Sequence, residues 1–189
     1  RELGSIREST VLTSHDGKPA LLSVRTVTTQ RGAVLDSALA YHRTLAPIWQ
    51  HSHQPTKTML LEFSASGVTG SFTPKDSATR AVHHPLGERV FDTTDLDEVI
   101  SSLPFANAYS VVLPFYTFEE GAVERDSIRV VGVEKIAAPD KQMRSAWKVS
   151  FVDPVITSTY WIDQQTRKVL RQDIVQRRSG IRFRIVPLT

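Results

Sequence analysis

Two histidines separated by one residue are the clearest candidates for metal chemistry in this sequence. His51 and His53 flank Ser52, and side chains alternate across a strand. We therefore expect both imidazoles on one face, about 6–7 Å apart along the chain. Such a pair can ligate zinc or copper when a third ligand is near. The possible third ligands are His42, His83, His84 or a carboxylate. The alternative, which we favour, is a pair of surface histidines at a strand end, so we predict no bound metal or other cofactor.

Motifs for covalent catalysis and for phosphate binding are missing from the sequence. No serine lies in a Gly-x-Ser-x-Gly nucleophile elbow. Neither of the two glycine motifs that cradle phosphates occurs. The sequence contains no cysteine, which excludes disulfides, thiolate zinc sites and thiol nucleophiles. We therefore predict that the protein is not an enzyme. A metal-dependent hydrolase at His51 and His53 is kept as an alternative.

A cluster of basic residues near the end of the sequence is its strongest charge feature. With 23 Lys and Arg against 20 Asp and Glu, the formal net charge is +3. Arg182 and Arg184 share one face of a predicted strand, which suits contact with an anionic membrane or an acidic partner. No stacking aromatics are interleaved with the arginines, so we predict no nucleic-acid binding. The alternative is an edge strand that charge protects from aggregation. The predicted anionic-contact residues are Arg171, Arg177, Arg178, Arg182 and Arg184.

Aromatic and aliphatic residues on the predicted strands are the candidates for ligand binding. In a strongly curved sheet with one covering helix, they would line an apolar hollow, the usual site for a hydrophobic ligand. In a closed sandwich, the same residues would form the core. The predicted lining residues are Trp49, Phe63, Phe72, Leu113, Phe115, Trp147, Val149, Phe151 and Trp161.

The elements that must position these residues are mostly strands. The length of 189 residues and the 40% hydrophobic content suit a single domain over residues 1–189. Apolar and polar residues alternate in many short runs, as in Leu22–Thr26, where Leu22 and Val24 alternate with Ser23 and Arg25. Such runs, joined by short turns, predict antiparallel hairpins. The segment 75–89 has weak periodicity and is predicted as a surface loop.

One amphipathic helix is predicted between the two strand-rich halves. Leu96, Val99, Ile100 and Leu103 have the spacing of one helical stripe. Side-chain oxygens at residues 92–94 suit an N-cap, and Pro104 ends the helix. The predicted fold is therefore mainly β: a strongly curved antiparallel sheet, or incomplete β-barrel, with one short amphipathic helix.

A strand–turn–strand segment in the second half resembles a known group of proteins. Tyr160-Trp161-Ile162-Asp163 and the basic strand after it resemble uncharacterised bacterial envelope proteins of unknown function, grouped with the LolA/LolB-like lipoprotein carriers. Further similar stretches are Thr44–Pro47, Leu60–Phe63 and Val90–Asp92. The resemblance implies a curved, incomplete barrel, often extracytoplasmic, whose concave face holds an apolar ligand. It transfers no catalytic residue, and the sequence lacks the N-terminal cysteine of a lipid-anchored LolB-like form.

These observations predict a non-enzymatic, extracytoplasmic binding module. Its ligand would be a lipid, an acyl chain or a lipoprotein segment in the concave face. The first residues, Arg1–Gly4, show neither an initiator Met nor an apolar signal region, which predicts either a processed mature end or the boundary of a shorter piece of the protein. The resemblance implies a periplasmic or secreted location. The alternative is an accessory subunit with a self-filled core that docks on a larger envelope assembly. The expected partners are lipid or lipoprotein, with an envelope protein or an anionic membrane surface as a second contact.

Overall fold

The computed structural model describes residues 4–30, 32–118, 121–138 and 140–186. Arg1, Glu2 and Leu3 lie outside the described residues. The chain divides into two compact units. Unit 1 comprises the described residues up to Leu96 together with Phe115–Val123, and unit 2 comprises Asp97–Pro114 and the described residues from Glu124 onward. The single domain over residues 1–189 stays a prediction.

Seven antiparallel strands in sequential order form the first sheet. Its hairpins arise because short turns join runs of alternating residues. At Asp16 and Gly17 the φ angles are 50° and 72°, the left-handed pair that suits a two-residue hairpin turn. The strands are β1 (Gly4–His15), β2 (Lys18–Thr29), β3 (Gly32–Tyr41), β4 (Pro47–Gln54), β5 (Lys57–Ser64), β6 (Gly67–Pro74) and β7 (Arg80–Pro85).

The second sheet is mixed. Its strand order is β14-β13-β12-β11-β10-β9-β8; β8 and β9 are parallel, and the pairs from β10 to β14 are antiparallel. The strands are β8 (Phe91–Asp92), β9 (Ser110–Thr117), β10 (Ala122–Ala137), β11 (Met143–Val152), β12 (Ile156–Asp163), β13 (Val169–Gln176) and β14 (Arg182–Ile185).

The predicted helix is confirmed. A 3-10 turn at Thr93–Asp95 leads into helix α1 at Leu96–Ser102. Asp92 caps this turn because its side chain accepts a hydrogen bond from the backbone N–H of Thr94. Val99 and Ile100 are the buried part of the stripe. Among the described residues, no helix is both long and apolar enough to cross a membrane.

The predicted fold class is confirmed as mainly β with one short helix, although the strands are divided between two sheets. Neither sheet closes into a barrel. Register shifts at Leu39/Ala40 and Val130/Gly132 mark irregular pairing of the kind that bends strands, consistent with curved sheets. Gly70 has a φ of 149°, and a Cβ there would collide with the carbonyl oxygen of Leu60, so this close approach requires glycine.

One element prediction is wrong. Segment 75–89 was expected to be a surface loop, but it contains β7, which pairs with β6 along its length. Val82, opposite Gly70, is the buried residue of this strand. Only one of the six residues of β7 is a buried apolar one, so the strand shows no alternation of apolar and polar residues. Its extended conformation comes from its pairing with β6.

Each unit has its own apolar core. In unit 1, residues of β5–β7 pack with Val90 and Tyr116, and partly buried aromatics including Phe63, Phe72 and Phe118 pack against them. In unit 2, register places Val130, Val149 and Tyr160 opposite one another on consecutive strands, and all three are buried.

Candidate functional site

The inner face of the first sheet is the face that carries Ser23, Arg25, Asp36, Gln50, Ser52, Met59 and Leu61. Its residues follow from strand register, since each strand presents alternate side chains to this face. One cross-strand row runs from Arg25 through Asp36 and Ser52 to Met59 and Phe72. The row is polar on β2–β4 and apolar on β5 and β6. The inner face is thus divided into a polar half and an apolar half.

A cavity of about 230 Å³ lies in unit 1 where the two halves meet. Both halves contribute to it, and the 3-10 turn and the end of β9 complete it. Because polar groups dominate its lining, it suits a polar ligand group beside an apolar one. The lining residues are Arg25, Asp36, Gln50, Ser52, Gln54, Lys57, Met59, Thr93, Thr94, Tyr116, Thr117 and Phe118.

Asp36 and Ser52 form the first polar contact of the cavity wall. The Ser52 hydroxyl donates to Asp36 Oδ1 at 2.5 Å, and Gln54 Nε2 donates to Ser52 Oγ at 3.0 Å. Ser52 therefore already donates and accepts one hydrogen bond. The hydrogen-bond acceptor beside it is a carboxylate, and no imidazole contacts its hydroxyl in the described part of the chain. This arrangement holds Asp36 in place and does not resemble an activated serine nucleophile.

A second chain of hydrogen bonds connects β4 to the 3-10 turn. Gln50 Nε2 donates to Thr94 Oγ1 at 2.7 Å, and the Thr94 N–H donates to Asp92 Oδ1 at 2.5 Å. Asp92 is 2% exposed, and this burial raises its pKa to about 6, with a further contribution from the negative charge of Asp36. The hydrogen bonds from Thr94 act in the opposite direction. The cavity therefore lies beside a carboxyl group that is easily protonated.

Arg25 is the cation on the polar half of the inner face. It lies opposite Asp36 in the β2–β3 register. Its Nε atom is buried and has no hydrogen-bond partner within the described residues. A buried donor without a partner is unusual in proteins, because burial removes the water that would otherwise solvate it. Arg25 therefore offers a donor that a bound acceptor can satisfy.

The four predicted lining residues of unit 1 do not border this cavity. Trp49 lies on the outer face, stacked on His51 with 4.4 Å between ring centroids. Phe63 and Phe72 lie on the apolar half of the inner face, and Phe115 is fully buried. Phe72 contacts Phe118, itself a cavity residue, at 5.0 Å between centroids. The predicted lining therefore forms core and outer face here, and its role in binding stays a prediction.

The other five predicted lining residues lie in unit 2, and strand alternation separates them. Trp147, Val149 and Phe151 share one face of β11. Trp161 opposes Lys148 and lies on the other face, so it does not line a common surface with them. Val149 and Phe151 are buried, and Leu113 on β9 is half-buried. The register, which the sequence does not show, places Trp161 among charged residues, and the role of these five residues in binding stays a prediction.

Those charged residues form what we call the charged ladder of unit 2. Trp161 Nε1 donates to Glu134 Oε2 at 2.8 Å, and Lys148 forms an ion pair with Glu134 at 2.6 Å. The Arg171 guanidinium lies 4.0 Å from the centroid of the Trp161 ring. Asp173 pairs with Arg171 and with Arg184, and these contacts hold its pKa down at about 2. The ladder residues are Glu134, Lys148, Trp161, Arg171, Asp173 and Arg184.

The five predicted anionic-contact residues consequently differ in availability. Arg171 and Arg184 are both bound to Asp173. Arg177 is exposed and donates to the backbone carbonyl of Asp153 at 3.1 Å. Arg178 and Arg182 are exposed. The prediction of an anionic contact is best tested on the last two.

His51 and His53 lie on the outer face of the first sheet, as alternation predicts. His51 stacks on Trp49, and His53 Nδ1 lies 3.1 Å from Thr58 Oγ1. No third ligand joins them, since the described residues contain no cluster of three metal-ligating side chains.

Ser145 and Lys148 have the serine–x–x–lysine spacing of some serine nucleophiles. The two residues are three positions apart on strand β11, so their side chains lie on opposite faces of the sheet.

Sequence reasoning missed the polar half of the inner face. The alternation of Ser23 and Arg25 with Leu22 and Val24 predicts a strand, but the polar side of that strand is the inner one: Ser23 is 1% exposed. Alternation shows that a strand has two faces without showing which one is covered. Polar residues at alternate positions are also the usual pattern of an exposed strand face, so β2 and β4 carried no signal that their polar side is covered.

Comparison with known proteins adds a family. A family model described as "Protein of unknown function (DUF3108)" matches residues 1–176. No curated protein and no solved structure matches the chain.

Proposed function

The chain belongs to this family of unknown function, and on that premise we propose that it is a non-enzymatic binding module for a lipid, an acyl chain or a lipoprotein segment. The binding surface is the inner face of the first sheet. One observation carries the proposal: the cavity joins a polar half to an apolar half on a single sheet face. A molecule with a polar end and an apolar part matches both halves at once.

The size of the cavity limits what it holds. At about 230 Å³ it is smaller than the roughly 300–1,000 Å³ of sites that enclose a drug-sized ligand. It therefore accommodates one end of a longer molecule. Met59, Tyr116 and Phe118 supply the apolar side of the lining, where each Å² of apolar surface removed from water contributes about 25 cal/mol.

The proposal includes an extracytoplasmic location and kinship with the LolA/LolB-like carriers. The support is the resemblance of the segment around Tyr160–Asp163 and of Thr44–Pro47 to envelope proteins of that group. Exposed basic residues on unit 2, Arg178 and Arg182, suit contact with an anionic membrane surface. Such a contact would bring the module to the lipid that it binds.

Native mass spectrometry and fatty-acid uptake test the proposal. Protein purified without detergent should carry added lipid mass, and it should take up a fluorescent fatty acid. Phe118→Ser, which removes an apolar wall of the cavity, should weaken uptake at least fivefold. Leu60→Ser is the matched control, because Leu60 is 44% exposed on the outer face of β5. Lipid-free mass together with no fatty-acid uptake would refute the proposal.

A second candidate function, an accessory subunit of a larger envelope assembly, is favoured by β1. This twelve-residue strand lies at the edge of the first sheet, and almost all of its residues are exposed. Val11 and Leu12 are 52% and 66% exposed. Long exposed edges are sites where another chain can add a strand. A complex of defined stoichiometry that dissociates on Thr10→Pro, with the lipid assays negative, would favour this function.

A further inference from the structure

The cavity of unit 1 brings side chains of both charges together. Arg25 and Lys57 contribute positive charge, and Asp36 contributes negative charge. If all charged side chains of the lining had the same sign, the expected ligand would be a simple ion of the opposite sign. A lining with both signs instead suits a ligand that carries both signs itself, since each charge then gains an opposite partner when it leaves water.

The hydrogen bonds of the lining show which of these groups a ligand would contact. Asp36 Oδ1 accepts from Ser52, which fixes the carboxylate in the wall. Arg25 Nε is buried without a partner in the part of the chain that the structure describes. Although Arg25 and Asp36 are opposite residues of β2 and β3, no ion pair joins them among the described residues. The two charges are therefore positioned in one cavity without neutralising each other through contact.

We propose that this cavity binds the phosphoethanolamine headgroup of a zwitterionic phospholipid. The guanidinium of Arg25 receives the phosphate, because its planar N–H groups match phosphate oxygens. The carboxylate of Asp36 receives the primary ammonium, which has N–H donors for it. This inference rests on the proposed function and names the class of lipid that the module binds.

Related headgroups fit the same lining less well. A purely anionic headgroup such as phosphatidylglycerol leaves Asp36 without a cationic partner and places a second negative group near it. A choline headgroup has no N–H to donate to a carboxylate and is bound in proteins by aromatic cages. Size agrees with phosphoethanolamine. At about 30 Å³ for each water, a cavity of about 230 Å³ has room for roughly eight non-hydrogen atoms. One phosphate, two carbons and one nitrogen make a group of that size.

Calorimetry with short-chain lipids below their micelle concentration tests the inference. The probes are dihexanoyl phosphatidylethanolamine, its phosphatidylglycerol and phosphatidylcholine counterparts, and free O-phosphoethanolamine. The ethanolamine lipid should bind at least tenfold more tightly than the other three. Arg25→Gln should weaken its binding by tenfold or more, and Arg25→Lys should weaken it less. Asp36→Asn should weaken the binding of the ethanolamine lipid by about tenfold. The binding of the glycerol lipid should stay unchanged or become tighter.

Arg7→Gln is the matched control, because Arg7 is exposed on the neighbouring strand and lies on the outer face of the sheet. Thermal melting of each variant shows whether the fold is kept. Equal binding of the ethanolamine and glycerol lipids would overturn the inference, as would free O-phosphoethanolamine binding as tightly as the lipid. Lipid binding that is unchanged in the variants Arg25→Gln, Arg25→Lys and Asp36→Asn would overturn the inference but would leave the proposed function intact. No binding of any lipid or fatty acid would overturn both.

Discussion

Arg25 and Arg171 are both arginines on antiparallel strands, yet their surroundings differ. Arg171, in the charged ladder of unit 2, pairs with Asp173 and lies over the Trp161 ring. Arg25, on the inner face of the first sheet, keeps a buried Nε without a partner among the described residues. Each charged side chain of the ladder has an oppositely charged partner on the same surface, whereas the inner face holds a buried donor, Arg25 Nε, that has no partner among the described residues.

The difference indicates where a ligand is needed. A compensated surface gains little from a bound ion, since new contacts would replace existing ones. An uncompensated buried donor gains a hydrogen bond that folding did not provide, and hydrogen bonds to charged groups are among the stronger ones. The same contrast applies to carboxyl groups: paired Asp173 has a lowered pKa, and buried Asp92 has a raised one. Titration and substitution can therefore test the comparison.

The largest effect is expected at Asp126, a carboxyl group of unit 2 that lies outside the ladder. It is 2% exposed, its Oδ1 has no partner within the described residues, and burial raises its pKa from 3.8 to about 7. Because the folded pKa exceeds the unfolded one, the contribution of protonated Asp126 to stability is fully present below pH 3.8 and is lost as the pH rises through 7. At about 1.36 kcal/mol for each pKa unit, the loss is at most about 4 kcal/mol.

Asp126→Asn should therefore raise the free energy of unfolding at pH 8, by up to this amount. The gain should shrink as the pH falls and disappear near pH 4. Urea denaturation from pH 4 to pH 8 measures it. An equal gain at every pH would show that the carboxyl group is not the cause. A gain confined to high pH would mean that the presence of a partner group determines whether a buried carboxyl group costs stability. The unit in which the carboxyl group lies would then not matter.

Asp92, which caps the 3-10 turn beside the cavity of unit 1, gives the next largest effect. Its pKa, raised to about 6 mainly by burial, implies a cost of up to about 3 kcal/mol above pH 6 that is absent below pH 3.8. Asp92→Asn keeps an acceptor for the Thr94 N–H and should recover part of that cost at pH 8. Asp92→Ala also removes the cap, worth about 1 kcal/mol, and should be less stable than Asp92→Asn at every pH. Equal stability of the two variants would contradict the role of the cap.

What the sequence predicts here depends on whether the interaction is local. The helix was predictable because Asp92 and the stripe at Val99 and Ile100 lie within one short segment. The strands were predictable because alternation is local too. The inner face was not, because Ser23 and Arg25 acquire their surroundings from β3 and from the 3-10 turn. Strand β7 was missed for the same reason, since its pairing with β6 determines it.

The candidate site shows the same difference between local patterns, which the sequence reveals, and contacts between strands, which it does not. His51 and His53 lie on one face, as their spacing indicates, but spacing did not supply a third ligand. Trp161 was grouped with Trp147 by residue type, and register separated them. That Arg25 lies opposite Asp36 follows from the β2–β3 register, which the sequence does not show. A polar cavity built from single residues of separate strands leaves no contiguous motif in the sequence.

A smaller effect is expected in the charged ladder. Asp173→Asn leaves Arg171 and Arg184 without their shared carboxylate and should lower the free energy of unfolding by about 1 kcal/mol at pH 7 and low salt. Since the folded pKa is lowered to about 2, this contribution is present above pH 3.8 and is lost as the pH falls through 2. Chemical denaturation at pH 7 and pH 2 measures it. Asp76→Asn, at an exposed turn, is the control and should change nothing.

The smallest effect separates arginines within the predicted anionic-contact set. On vesicles that contain phosphatidylglycerol, Arg178→Gln and Arg182→Gln should each weaken binding about fivefold, since an arginine near an anionic surface contributes about 1 kcal/mol. Arg171→Gln should change binding less than twofold, because Asp173 already offsets its charge and Trp161 holds it in place. Co-sedimentation at two salt concentrations measures the effect, which salt should weaken. If all three variants lose binding equally, the ladder does not compensate Arg171, and the contrast between the two regions fails at that residue.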